Sequence, residues 1–181
     1  MTKIRFSKSQ QVIDAFPHVK DDFAGEPLDL APVEFIQHLL HTKGEKKAIT
    51  FCAFLLSRHD AVKWLCQSLR AAQKTYAPKD ESLLTLSEDW ARSPTESGRQ
   101  AALTAAMTSG FRTAPAFAAA AASWSGGSLS SGPDNPVPPP AHLTGQAVKT
   151  GLLLCAMEAP IAEQQSKMRS MVELALTFLE T

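Results

Sequence analysis

SPTESGRQAALTAAMTSGFRTAPAFAAAAASW, running from Ser93 to Trp124, carries the clearest structural signals in the 181-residue chain. In SPTE, Ser93 is a candidate N-cap, Pro94 suits the first helical position, and Glu96 stands three residues after the cap. Gly110 matches a helix C-terminus, since a residue without Cβ adopts the left-handed conformation at little cost. The segment therefore predicts a helix that starts just after Ser93 and stops at Gly110.

Alanine dominates residues 101–122 and continues through a second predicted helix, which runs from Pro115 to Trp124. Short side chains allow helix backbones to approach closely, so this composition predicts a tightly packed helix pair. Larger side chains are needed to fill the space that alanine leaves. We expect Phe111, Phe117 and Trp124 to fill it.

The rest of the chain also reads with a period near 3.6, and no run of β-favouring residues alternates apolar with polar. The other predicted helices lie around Val12, Ile13 and Phe16, at Pro32–His41, at Glu45–Leu56, from a Ser57 cap through Ala72, from near Asp80 through Trp90, at Thr144–Glu158, with Thr144 as a candidate cap, and at Pro160–Leu179. The sequence predicts an all-α fold of about eight to nine short helices, arranged as a compact orthogonal bundle or an irregular superhelix. No fixed repeat supports a regular array.

The length and composition favour one domain. A chain of 181 residues buries roughly 70% of the surface that it exposes when unfolded, and 44% of its residues are hydrophobic. We predict a single all-α domain over residues 1–181, with residues 1–28 as a candidate loosely attached segment. Residues 125–142, called the crossover below, are predicted to form a long, ordered, Gly/Pro-rich connection between two helices.

The 18 basic and 18 acidic side chains cancel and are interspersed along the chain. Because no block of one sign could follow a phosphate backbone or an anionic membrane, we expect neither nucleic acid nor a membrane as partner. The N-terminal residues lack the apolar core of a secretory signal, and Cys52, Cys66 and Cys155 lie singly in apolar helical patterns. We therefore expect a cytoplasmic protein with buried, reduced thiols.

No set of residues has the spacing of a known catalytic site. In EFIQHLLH, the side chains of Glu34, His38 and His41 could point in one direction as metal ligands, but His41 also suits the capping of a helix end. Ser125 and Ser128 lack the strand and leading glycine of a nucleophile elbow. We predict no enzyme activity, no metal and no cofactor.

The crossover has features that a plain flexible linker lacks. Trp124 lies at the end of one helix, and Gly126 and Gly127 allow the backbone to turn. The run Pro138–Pro140 favours an extended conformation before His142 and Leu143 lead into the next helix. We therefore interpret these residues as a surface for a partner. Trp64 and Arg58 are further contact candidates, although each also suits a plain structural role: Trp64 in the core and Arg58 in a surface turn.

Two motifs resemble a small uncharacterised bacterial family. RHDAVKWLCQSL, from Arg58 to Leu69, is similar to an RREAVWWA-type signature, from which it departs at His59 and Lys63; WSGGSLSSGPDNPVPPPAHLTGQAV, from Trp124 to Val148, is similar to WSGGSL followed by VPPPxHLT. The resemblance covers roughly residues 57–179. It implies a genetic context beside type VI secretion genes, often those for PAAR spike-tip proteins and their loading adaptors.

These observations lead to three hypotheses about function. The first is a non-catalytic cytoplasmic adaptor or co-chaperone in type VI secretion, whose partner is a spike-tip protein, an effector or its loading adaptor. The alternative is an immunity protein that binds a cognate toxin. The third is a small metal-binding enzyme that uses His38 and His41. Self-association through the alanine-rich helices is left open.

Overall fold

The computed structural model describes residues 5–129 and 135–180. Of the described residues, 73% are helical and none lies in a β-strand, so the all-α prediction is confirmed. The helices are α1 (Ser9–Ala15), a 3₁₀ helix (Pro17–Phe23), α2 (Pro32–His41), α3 (Glu45–Leu55), α4 (Arg58–Ala72), α5 (Pro78–Arg92), α6 (Glu96–Ser109), α7 (Ala114–Ser123), α8 (Leu143–Met157) and α9 (Ile161–Glu180). These ten helices slightly exceed the eight to nine predicted. The additional element is the 3₁₀ helix, which follows α1 and begins at Pro17.

Helix α7 lies at the centre of the fold. All of its residues are buried except Phe117, which is half-buried, and the helix packs against α4, α5, α6 and α8. The ring of Phe111 lies 6.3 Å from that of Phe117 and 5.9 Å from that of Trp124, measured between centroids. All three side chains are half-buried and pack against the core that contains the alanines, which confirms that they fill the space beside them.

The helices form a compact bundle rather than a superhelix. In a superhelix each unit contacts only its neighbours along the chain. Here α8 packs against α3, α4, α7 and α9, and α3 also contacts α9. The core is therefore shared among helices far apart in sequence.

Two glycines allow α8 to approach its neighbours closely. A Cβ on Gly145 would lie 2.6 Å from the Phe54 ring and 2.9 Å from the backbone oxygen of Ala53 in α3. A Cβ on Gly151 would lie 3.1 Å from the Leu65 side chain in α4. Close packing of α8 against α3 therefore depends on the missing side chain at position 145.

The starts of the helices correct one prediction and confirm another. The N-cap of α6 is Thr95, whose Oγ1 accepts a hydrogen bond from the Gly98 amide at 3.1 Å. Ser93 was the wrong residue because it terminates α5, where its amide donates to the Asp89 carbonyl. Ser57 caps α4 as predicted, with its Oγ accepting from the Asp60 amide.

The N-terminal segment is joined to the core. Four of its apolar residues have at most 2% of their surface exposed; they are Val12, Ile13, Val19 and Phe23. The amides of Ser9 and Gln10 donate to the carbonyls of Leu30 and Leu28. The assignment of residues 1–181 to one domain stays a prediction, as does the looser attachment of residues 1–28.

Helix α9 closes the fold against α2 and α3. Arg169 Nη2 donates to the Leu40 carbonyl at 2.7 Å and to the buried carboxylate of Glu45 at 2.6 Å. Gln165 Nε2 donates to the same carboxylate at 3.1 Å. Within residues 5–129 and 135–180, neither α9 nor any other helix has the length and apolar character needed to cross a membrane.

Candidate functional site

The first end of the crossover is held by a buried arginine on α6. Arg99 is 2% exposed. Its Nη1 donates to the Ser123 carbonyl at 2.8 Å and its Nη2 to the Ser128 carbonyl at 3.0 Å. Its Nε and Nη2 also donate to the Glu96 carboxylate at 2.8 and 2.6 Å. The guanidinium thus ties the crossover backbone to α6 through charge-assisted hydrogen bonds.

Gly127 lies directly on this guanidinium. A Cβ at position 127 would lie 2.3 Å from Arg99 Nε, and the residue has a φ of +64°. Both the close approach and the left-handed conformation therefore require glycine. Gly126 differs, because a Cβ there would meet no atom within 4 Å. Of the two glycines, only Gly127 is fixed by its surroundings.

The residues that flank the crossover meet at Trp124. Its half-buried ring stacks on Phe111, and its carbonyl accepts a hydrogen bond from Thr144 Oγ1 at 3.0 Å. The prediction that Thr144 caps α8 is wrong, because the helix already begins at Leu143. The buried threonine joins the start of α8 to the end of α7 across 20 residues of sequence.

The crossover also pairs with itself. The Leu129 amide donates to the Val137 carbonyl at 2.8 Å, and the Val137 amide donates to Ser128 Oγ at 2.8 Å. The Leu129 side chain is 37% exposed and that of Val137 is 50% exposed. Residues 130–134 lie outside the described residues. We call the exposed pair Leu129 and Val137 the apolar face of the crossover.

The proline run and the residues after it border the body of the protein. Pro139 is buried, whereas Pro138 and Pro140 are exposed. The exposed His142 ring lies 5.0 Å from that of His18, and Leu143 is half-buried. Partial burial lowers the pKa of His18, electrostatic interactions with His142 and Lys149 lower it further, and Asp22 opposes this effect.

The two α4 candidates occupy different environments. Trp64 is fully buried and its Nε1 donates to the Met171 carbonyl at 2.7 Å. It therefore belongs to the core and offers no contact surface. Arg58 is half-buried and lines a pocket of about 90 Å³ with Ala141 and Gly145. This position places Arg58, but not Trp64, beside the end of the crossover.

The residues that matter most for this arrangement were not among the sequence candidates. Arg99, Glu96 and Thr144 fix the crossover, and only the alternative roles of Glu96 and Thr144 in capping had been considered. A signal for Arg99 was present, since it is the only arginine or lysine between Ser93 and Gly110. A lone basic residue on an alanine-rich helix can mark a buried polar bond.

The groups considered for chemistry are dispersed in the fold. His38 Nε2 lies 3.2 Å from Glu26 Oε2, and the Glu34 carboxylate accepts a hydrogen bond from the Ala31 amide at 3.3 Å. In the part of the chain that the structure describes, no three His, Cys, Asp or Glu residues are grouped to hold a metal ion. Cys52, Cys66 and Cys155 are buried and unpaired. Burial raises the pKa of all three thiols, that of Cys66 to about 12.

Comparison with known proteins identifies the family. The model of a family of unknown function, DUF6931, matches residues 35–179, so the chain belongs to that family. The match runs from within α2 almost to the end of α9 and includes the whole crossover. No curated protein and no solved structure matches the chain.

Proposed function

We propose that this member of the DUF6931 family is a non-catalytic adaptor that binds one protein partner through the apolar face of the crossover. The observation that carries the proposal is the exposure of Leu129 and Val137 on a segment whose first end is tied down by the buried Arg99. Holding a contact segment in place before binding reduces the entropy lost on association. Exposed apolar side chains on such a segment suit a protein partner.

The partner class comes from the resemblance of residues 57–179 to the family associated with type VI secretion. On that basis the partner is a spike-tip protein, an effector or its loading adaptor, and binding takes place in the cytoplasm. The three buried, unpaired cysteines are compatible with a reducing compartment. The balanced charge supports a protein partner over nucleic acid.

The test is a pull-down with the tagged protein from its native cytoplasm. We expect the wild type to capture a spike-tip protein, an effector or a loading adaptor. The double variant Leu129→Asp/Val137→Asp should lose that capture, because two carboxylates would have to be desolvated at the contact. Ile161→Asp is the matched control, since Ile161 is 88% exposed and lies at the start of α9.

Two results would contradict the proposal. One is the capture of none of these three classes by the wild type. The other is equal capture by the double variant and the control. Deletion of the gene separates the adaptor from the immunity protein: loss of secretion supports the adaptor, whereas self-poisoning that is rescued by removing a neighbouring toxin identifies an immunity protein.

A further inference from the structure

A groove of about 540 Å³ lies between α4 and α9. Its volume falls in the range of roughly 300–1,000 Å³ that is typical of small-molecule sites. Most of its lining side chains are small, and they are Ser68, Ala71, Ala72, Ala159, Ser166 and Ser170. The lining shares no residue with the crossover, so the groove is a separate site from the proposed adaptor surface.

Ser68 is the unusual residue of this groove. It is 2% exposed, and among the described residues its Oγ is the one buried side-chain nitrogen or oxygen without a hydrogen-bond partner. A helical serine commonly donates to the carbonyl four residues earlier. Ser87 does so to Leu83 at 2.8 Å, and Ser170 does so to Ser166 at 3.1 Å. The Ser68 hydroxyl is therefore a buried donor that lacks an acceptor.

A positive charge lines the same groove. Lys167 is half-buried, and none of the ion pairs in the described ranges includes it. The Trp64 bond to the Met171 carbonyl holds α4 against α9 one helical turn from Ser68 and one turn from Lys167. Glu163, exposed in the first turn of α9, is the one acidic residue of the lining.

The rest of the lining is mostly apolar. Its two other hydroxyls already donate within α9, from Ser166 to the Glu163 carbonyl and from Ser170 to the Ser166 carbonyl. Its apolar side chains are Ala71, Ala72, Ala159, Met171 and Leu174. An unpartnered hydroxyl donor and an ammonium beside an apolar floor suit a ligand with an acidic head and a hydrocarbon body. We propose that the α4–α9 groove binds a small aliphatic carboxylate, with Ser68 and Lys167 holding the carboxylate and the alanines, Met171 and Leu174 holding the chain.

Such a carboxylate belongs to a free aliphatic acid or to the C-terminal residue of a peptide. The test is a titration of the ¹⁵N-labelled full chain with sodium octanoate. Binding is measured from the changes in the amide chemical shifts of α4 and α9. N-acetyl-leucyl-leucine, as free acid and as amide, forms the peptide arm. Tighter binding of the peptide acid than of octanoate assigns a peptide C-terminus as the source, and the reverse assigns a free acid. Octylamine has the same chain with the opposite charge and should not bind.

Four variants test the two polar groups. Ser68→Ala and Lys167→Gln should each weaken octanoate binding by about tenfold, because each removes one charge-assisted interaction. Ser82→Ala and Lys79→Gln are the matched controls on α5, and neither residue lines the groove. Ser68→Ala removes no existing hydrogen bond, so the variant should fold as the wild type does.

Three results would overturn the proposal. These are no saturable shift with octanoate or the peptide acid, octylamine binding as tightly as octanoate, and unchanged affinity in both Ser68→Ala and Lys167→Gln. The outcome is independent of the pull-down, because the crossover variants leave the groove intact. Failure of one proposal is thus distinguishable from failure of the other.

Discussion

Helix α7 and the crossover that follows it are adjacent in sequence but are held in place by different forces. The five consecutive alanines of α7, Ala118–Ala122, have no exposed surface, and their small side chains let four helices approach. In the described part of the crossover Pro139 is the one buried residue, and hydrogen bonds from Arg99 and Thr144 fix the segment. A larger side chain should therefore destabilise the helical core, whereas the crossover should be destabilised by the loss of a hydrogen-bond donor.

The largest loss of stability is expected where a larger side chain would collide with the backbone of a neighbouring helix. Gly145→Val would place atoms within 3 Å of the Phe54 ring and of the Ala53 carbonyl oxygen, which cannot move independently of α3. We expect the free energy of unfolding to fall by about 3 kcal/mol, measured by chemical denaturation. Gly126→Val is the matched control in the crossover. It should change the value by less than about 0.5 kcal/mol, since a Cβ there meets no neighbour.

Similar losses at positions 145 and 126 would show that close approach of α8 to α3 does not limit stability. A large loss at position 126 alone would show that crossover packing matters more than the hydrogen bonds suggest. The comparison between the two regions would then be wrong.

A smaller effect is expected from the loss of donors at the crossover. Arg99→Met keeps much of the side-chain volume but leaves the Ser123 and Ser128 carbonyls without this donor. We expect a loss of about 2 kcal/mol in the free energy of unfolding. We also expect cleavage near Trp124 in limited proteolysis, whereas in the wild type the chain near Trp124 and Leu143 should resist.

The control is Arg92→Met, which removes an arginine that is 75% exposed and forms an ion pair with Asp89. It should leave both stability and cleavage unchanged. Rapid cleavage of the wild type near Trp124 or Leu143 would contradict the fixed ends of the crossover. If Arg99→Met resisted cleavage near Trp124 as well as the wild type does, Arg99 would not be needed for this resistance.

The same contrast explains how far the sequence could be interpreted. Helix positions follow from local spacing, so the alanine-rich helices and the Ser57 cap were predicted. The Arg99 bonds join residues 24 and 29 positions apart, and no local pattern encodes such pairs. Thr144 was interpreted as a cap because its hydroxyl suits that role locally. Its actual acceptor, the Trp124 carbonyl, is 20 residues away and is near only in the fold.

The smallest effect concerns the charge beside Arg99. Hydrogen bonds from Arg99 and then from Gln100 lower the pKa of Glu96 to about 2 from its ordinary 4.5. Because the pKa is lower in the folded protein, this stabilisation is complete above about pH 4.5 and is lost as the pH falls toward 2. The Glu96 side chain is 62% exposed, so solvent screening limits the contribution to under about 1 kcal/mol.

Comparison of the wild type with Glu96→Gln isolates this contribution, since the other carboxylates titrate alike in both proteins. We expect the wild type to be the more stable at pH 6.5 and the difference to shrink by pH 3.5, as measured by denaturation at each pH. A difference that does not change with pH would show that Arg99 holds the crossover without help from the Glu96 charge. The contribution of Arg99 would then come from its bonds to the Ser123 and Ser128 carbonyls, and Arg99→Met should keep its full effect at pH 3.5.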